Sequence, residues 1–251
     1  MKIGLLQYNP YWENKDKNKR KIIELLSNNL HELSLLILPE MTLTGFTMNA
    51  QKLSESITGD TYNFYAGIAK QKKIHVLGGL IEKEKDKYFN TLIHVNPEGM
   101  LVTKYQKIHP YSLEDKYYAR GEDTTVTQIE DMKVGLSICY DLRFPELYRT
   151  YAKERVDLIV NVANWPITRI EHWKTLLKAR AIENQCYMAG VNRIGNDPKL
   201  VYDGYSSVYD PMGNKLVTSI NEEKVITTEI THHTVVDIRE KLPFLDDIFL
   251  I

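Results

Sequence analysis

The sequence predicts a mixed α/β or α+β fold, and three observations carry that expectation. Short apolar runs of strand length alternate with segments of helical periodicity, turn signals set hairpins between some of the runs, and no linker, low-complexity tract or fixed-period repeat interrupts the pattern. A chain of 251 residues is long for an average domain but ordinary for one large sandwich or α/β unit, so a single domain over 1–251 is expected. Periodicity alone does not choose between a doubly wound sheet and a two-sheet sandwich with helices outside.

The elements follow in order. Residues 2–8, KIGLLQY, read as a buried strand, and 14–30 as a charged amphipathic helix with Ile22, Ile23, Leu26 and Leu30 on its inner face. SLLILPE (34–40) is a continuous apolar run with a proline stop, a central strand ending at Glu40. A helix over 60–72 precedes strands over 75–82, 90–96 and 100–107, with Asn96-Pro97-Glu98-Gly99 as a hairpin turn. KVGLSICYD (133–141) reads as another buried strand, followed by a helix over 145–154 with Pro145 in its first turn. A strand over 156–165 leads to a helix over 169–184 that turns Trp173, Leu176, Leu177 and Ala181 inward. Strands near 186–195, 205–209, 215–218 and 225–230 complete the pattern, and 232–251 reads as a short helix with an extended, apolar tail that packs on a partner subunit or on its own body.

Composition narrows the class of function. Lys plus Arg total 32 against 33 Asp plus Glu, a net charge of -1, so no basic surplus points to nucleic acid or an anionic membrane surface. Two cysteines, Cys139 and Cys186, are too few for a disulfide framework. The opening MKIGLLQYNPYW reads as a strand rather than a signal peptide, and no run of about 18 apolar residues exists, so the expected compartment is the cytoplasm. No HExxH, paired CxxC or phosphate-cradling glycine loop is present, and neither a metal nor a cofactor is expected.

Three residues stand at predicted strand ends, where open α/β sheets collect their chemistry. Cys139 ends a buried strand just before a helix, a place that suits a nucleophile beside outward-pointing N–H groups, and the helix N-terminus would favour a thiolate. Glu40 follows SLLILP, where burial would raise a carboxyl toward the range of a working base. Lys107 closes MLVTKYQK, where an ammonium could steady developing negative charge. Singly, each has the stronger reading as a buried small hydrophobe or a solvated strand-end charge. Together they supply a nucleophile, a base and a cation.

LPEMTLTGF (38–46), KYQKIHPY (104–111) and SICYDLRFPE (137–146) resemble, in order and spacing, the three signature blocks of the nitrilase superfamily, the carbon–nitrogen hydrolases; HWKTLLKARAIENQCYMAGVNRIG (172–195) and GYSSVYDPMGN (204–214) extend the likeness over nearly the whole chain. The resemblance implies a four-layer α-β-β-α sandwich, a homodimer paired across its helices, and a catalytic triad of Glu40, Lys107 and Cys139. It also implies a second glutamate after the lysine, a position that Glu114 matches best. GFTMNA (45–50), VANWP (162–166) and ENQCYMAGVNRIG (183–195) are similar to the ω-amidase branch, which releases ammonia from 2-oxoglutaramate; the rival branch is the deaminated-glutathione amidases.

In the mechanism this implies, Glu40 takes the Cys139 proton, Lys107 and the Tyr140 backbone N–H hold the oxyanion, and Glu114 supports Lys107 or orients Glu40. Arg143 is placed to hold a substrate carboxylate, with an ion pair to Asp141 or Glu146 as its structural alternative. Arg169 is a second candidate, and Trp165 a wall of the pocket or ordinary core. The partner expected is a small amide substrate. Other substrates of the same thioester chemistry, and a catalytically silent binding subunit, are the competing readings.

Overall fold

The structure is a computed structural model and describes residues 1–27 and 33–249. The strands are β1 (Lys2–Gln7), β2 (Leu35–Ile37), β3 (His75–Glu84), β4 (Lys87–Val95), β5 (Leu101–Gln106), β6 (Val126–Ile129), β7 (Met132–Ile138), β8 (Leu158–Ala163), β9 (Tyr187–Asn192), β10 (Ile194–Asn196), β11 (Val201–Tyr209), β12 (Lys215–Ile220) and β13 (Lys224–Glu229). The α-helices are α1 (Lys15–Ser27), α2 (Ala50–Leu53), α3 (Asp60–Lys72), α4 (Pro145–Lys153), α5 (Ile170–Asn184) and α6 (His232–Lys241).

Two sheets result. One runs β13-β1-β2-β3-β4-β5, the other β10-β11-β9-β8-β7-β6 with β12 beside β11. Each has a parallel centre, β1-β2-β3 and β7-β8-β9, built by helical crossovers. The period-2 alternation of a strand sorts the side chains. Leu35 and Ile37 face the second sheet and pack with Val134, Leu136 and Val160. Leu36 and Leu38 face the other way, onto Ile22 and Leu26 of α1 and Tyr65 and Ile68 of α3. The second sheet buries its outer face under Trp173, Leu177 and Ala181 of α5. At Gly190 of β9 a Cβ would lie 2.4 Å from a Leu177 methyl, so glycine there lets α5 sit close on the sheet. The layers are therefore α, β, β and α, as the resemblance implies.

Several elements differ from expectation. β2 ends at Ile37: Leu38 still donates to the Leu77 carbonyl of β3, but Pro39 has no N–H to donate, and Pro39-Glu40 leave the ladder. In α1 the buried stripe is Asn18, Ile22 and Leu26, while Ile23 is exposed. Asn18 takes the inward place because its Nδ2 satisfies the carbonyls of Tyr11 and Leu43 at 2.8 and 2.7 Å. Leu30 and the last two residues of the tail lie outside the described residues. Of the described tail, Leu245 is buried against the body whereas Phe244 and Phe249 are exposed. The buried strand expected over 133–141 stops at Ile138, and Cys139–Arg143 form a 3₁₀ turn.

Candidate active site

Glu40, Lys107 and Cys139 meet at one end of the sandwich, each just past a strand. The Glu40 segment is fixed by backbone bonds on both sides, Leu38 N–H to the Leu77 carbonyl at 2.8 Å and Thr42 N–H to the Gly79 carbonyl at 3.1 Å. A Cβ at Gly79 would stand 2.6 Å from the Met41 nitrogen, so only glycine lets this turn close on β3. Lys107 donates its N–H to the Asn90 carbonyl at 2.9 Å and accepts from Gly121 at 2.9 Å. Cys139 turns out of β7 with φ 46°, the left-handed region, at the start of its 3₁₀ turn.

The turn is locked by Asp141. This buried carboxylate accepts from the Ile138 N–H at 2.9 Å, the Tyr105 hydroxyl at 2.7 Å, and the N–H and Nδ1 of His109 at 2.9 and 2.8 Å. It is thus engaged away from Arg143, contrary to the structural alternative for that arginine. The N–H of Tyr140 is among the first donors of the turn, which by position have no acceptor within it.

Charge is concentrated behind the thiol. Lys107 Nζ lies 2.9 Å from Glu40 Oε1 and 2.7 Å from Glu114 Oε2, with all three side chains buried. Glu114 sits in a 3₁₀ turn (Ser112–Lys116), where its Oε2 also accepts the Tyr111 N–H at 2.6 Å. Burial alone would depress the Lys107 ammonium, but Glu114 and then Glu40 outweigh it and hold its pKa well above the usual value. Burial raises the Glu114 carboxyl, against the pull of Lys107. Burial also pushes the Cys139 thiol well up, and Glu40 adds to it. The expected thiolate is therefore corrected: two carboxylates and desolvation outweigh the helix end and Lys107.

Glu40 has two further partners that sequence reasoning missed. Asn90 Nδ2 donates to its Oε1 at 2.7 Å. Asn164 donates both its N–H and its Nδ2 to Oε2, at 2.8 and 3.1 Å, and its Nδ2 also reaches the Glu40 carbonyl at 2.9 Å. Both asparagines sit in predicted strands, and a buried amide in an apolar run is the signal that points to them.

In front of Cys139 opens a narrow cleft of about 30 Å³, whose walls include Tyr140, Arg143, Asn164, Trp165 and Arg169. Arg143 stacks over Trp165 with its guanidinium 4.8 Å from the ring centre and contacts His172 Nδ1 at 3.2 Å. Arg169 lies over Tyr111 at 5.2 Å. Among the described residues neither arginine forms an ion pair. Trp165 is both wall and core: its ring meets Trp173, and its Nε1 donates to the Arg169 carbonyl at 2.8 Å. Cys186 is fully buried in the core, and burial pushes its thiol up to about 12. No cluster of three or more His, Cys, Asp or Glu fit to hold a metal occurs among the described residues, nor is any helix among them long and apolar enough to cross a membrane.

A thiol, two carboxylates and an ammonium at the floor of a cleft in a four-layer sandwich are the parts needed for thiol-based acyl transfer. The family model for carbon-nitrogen hydrolases matches residues 2–240, and the chain belongs to that family. It is 30% identical over 250 residues to a 2-oxoglutaramate amidase of Bacillus subtilis (strain 168), covering 98% of this chain and 96% of the relative. It is 33% identical over 251 residues to the omega-amidase YafV of Escherichia coli (strain K12), covering 98% and 96%. The structure superposes with a TM-score of 0.94 on XC1258 from Xanthomonas campestris, a CN-hydrolase superfamily protein with an arsenic adduct in its active site, at 32% identity over 100% of this chain and 98% of that one. The protein is accordingly a hydrolase acting on the carbon–nitrogen bond of amides.

Proposed function

We propose that the protein is an ω-amidase that hydrolyses the terminal amide of a small dicarboxylate monoamide, with 2-oxoglutaramate as substrate and 2-oxoglutarate and ammonia as products. The observation that carries this reading is the cleft wall: Arg143 and Arg169 flank Cys139 with no acidic side chain among the lining residues. Two guanidinium groups without carboxylate partners in a small cleft suit a substrate that brings its own carboxylate. The names of the relatives from Bacillus subtilis and Escherichia coli support the same choice.

The chemistry runs through a thioester. Glu40 takes the Cys139 proton as the sulfur attacks the amide carbon, and Lys107 with the Tyr140 N–H holds the oxyanion. Glu40 returns that proton to nitrogen, the C–N bond breaks, and ammonia leaves an acyl-Cys139 thioester. Glu40 then takes a proton from water, the hydroxide adds to the thioester, and collapse releases the acid and restores the thiol. Because the resting thiol is protonated, attack is coupled to substrate arrival rather than to a standing thiolate. Glu114 keeps Lys107 charged and in place.

Ammonia release tests the reading, with 2-oxoglutaramate beside succinamate, deaminated glutathione and an aliphatic nitrile, for wild type and Cys139→Ala. Turnover of 2-oxoglutaramate that vanishes in Cys139→Ala is expected. Turnover confined to deaminated glutathione or the nitrile would overturn the substrate but keep the thiol.

A further inference from the structure

We infer that Asn164 is a specificity-determining residue that receives the amide nitrogen of the substrate, an inference that rests on the amidase reading of the cleft. Glu40, as it stands, has no place for a substrate N–H. Its Oε1 accepts from Asn90 and Lys107, and its Oε2 accepts twice from Asn164. An ionised carboxylate offers about four lone-pair sites, and all are taken. A primary amide nevertheless brings two N–H donors to the cleft. Arg143, Arg169 and the Trp165 indole can only donate. Apart from Tyr111 and Tyr140 with their hydroxyls, Asn164 is the lining residue whose side chain carries an acceptor oxygen, its Oδ1.

That oxygen is buried and has no hydrogen-bond partner. Its identity is fixed, because the other end of the amide faces two acceptors, the Glu40 carbonyl and carboxylate, and must be the NH₂. Asn90 also has an orphaned Oδ1, but Asn90 stands behind Glu40 and is not on the cleft wall. The Asn164 N–H, bonded to Glu40 Oε2 at 2.8 Å, also pulls the Cys139 pKa down, so one residue acts on both nucleophile and base.

This placement gives Asn164 two tasks. When Glu40 takes the thiol proton, one of its donors must yield, and the Asn164 Nδ2 contact at 3.1 Å is the longest of the set. Nδ2 keeps its bond to the Glu40 carbonyl, so the side chain stays anchored. Oδ1 accepts an N–H of the amide, and accepts it more strongly once Glu40 has protonated the nitrogen and ammonia departs from the thioester.

The test compares a primary amide with the methyl ester of the same acid, which presents no N–H, in wild type, Asn164→Ala, Asn164→Ser and Asn90→Ala. Both Asn164 variants should lose about 10- to 100-fold more kcat/KM on the amide than on the ester, as for loss of a hydrogen bond to a group that becomes charged. Asn90→Ala, which removes a donor shared by Glu40 and Glu114 and lies off the cleft wall, should lower both alike. Should Asn164→Ala not fold, Asn164→Ser keeps a hydroxyl toward Glu40 and carries the comparison. Equal losses on amide and ester would overturn the inference and leave Asn164 acting only through Glu40. Wild-type silence on dicarboxylate monoamides, with turnover of propionamide, would instead overturn the substrate reading, and the amide-to-ester ratio is then read on propionamide and methyl propionate.

Discussion

Glu114 Oε2 lies 2.7 Å from Lys107 Nζ, with both side chains removed from solvent, so the buried ammonium is held by two carboxylates rather than one. That arrangement decides the state of Lys107, because desolvation alone would favour its neutral form and Glu114 is the largest opposing influence. Glu114→Gln should therefore leave substrate affinity largely intact while lowering kcat by about 100-fold, the scale of a lost oxyanion donor. Steady-state ammonia release with circular dichroism as a fold control checks it. A rise in KM at unchanged kcat would place Glu114 on the substrate instead.

Thiol chemistry gives a second expectation. Cys139 is 8% exposed at the floor of the cleft, whereas Cys186 is 0% exposed. Because the resting Cys139 thiol is held protonated by burial and Glu40, its alkylation by iodoacetamide requires the neighbouring base. Mass spectrometry should show Cys139 modified well ahead of Cys186 in wild type, and slowed about 100-fold or more in Glu40→Gln. Equal rates in the two proteins would mean that Glu40 does not deprotonate the thiol.

Legibility in the sequence followed the physics of each signal. Continuous apolar runs and a proline stop located Glu40, Lys107 and Cys139 at strand ends, and the structure brings all three together. The α3 bounds, 60–72, coincide with the periodic segment. What was not legible is nonlocal. In the sequence Asp141 reads as a partner for Arg143, because its contacts to Tyr105 and His109 come from a strand end far along the chain. Asn90 and Asn164 are amides in apolar runs, but nothing local tells which carboxylate, 50 or 124 positions away, each will face. The strand β6 was missed because VTQI is too short to show a period.

Asp141 should be the side chain on which the geometry of Cys139 depends. It accepts four hydrogen bonds while buried, and Cys139, two residues earlier in the same turn, holds a left-handed backbone angle that a free chain would relax. Asp141→Asn turns two of those acceptor sites into an NH₂ facing donors. Urea denaturation should show a loss of about 2–4 kcal/mol at unchanged m, with kcat falling more than stability explains. An unchanged midpoint would deny the carboxylate its structural part.

Acid should destabilise the protein through His94. It is buried between the sheets, bonded to His75 at 2.8 Å and to Thr127 of the second sheet at 2.8 Å. Burial, with His75 beside it, pushes its pKa from 6.5 down to about 3. As pH falls, the unfolded chain binds the proton first, so stability is intact above about 6.5 and drains between there and about 3. The share from His94 is on the order of a few kcal/mol. Denaturation midpoints at pH 7, 5.5 and 4 should fall in wild type and fall less in His94→Gln. Parallel declines would assign the acid sensitivity to other groups.

The two arginines of the cleft should prove unequal. Arg143 is spread over Trp165, next to the turn that carries Cys139, and its recorded hydrogen bond is to a histidine rather than an acid. Arg169 stacks on Tyr111 from the start of α5, and its carbonyl is tied to Trp165 Nε1. A substrate with its amide carbon at Cys139 therefore meets the Arg143 fork first, on the same wall as the sulfur. Arg143→Lys keeps the charge but loses the bidentate fork and the stacking plane. It should raise KM for succinamate by about 10-fold or more, Arg169→Lys by less, and neither should alter hydrolysis of propionamide, which has no carboxylate to hold. If Arg169→Lys carries the larger KM effect, the carboxylate lies toward Tyr111 and the substrate enters the cleft in the opposite orientation.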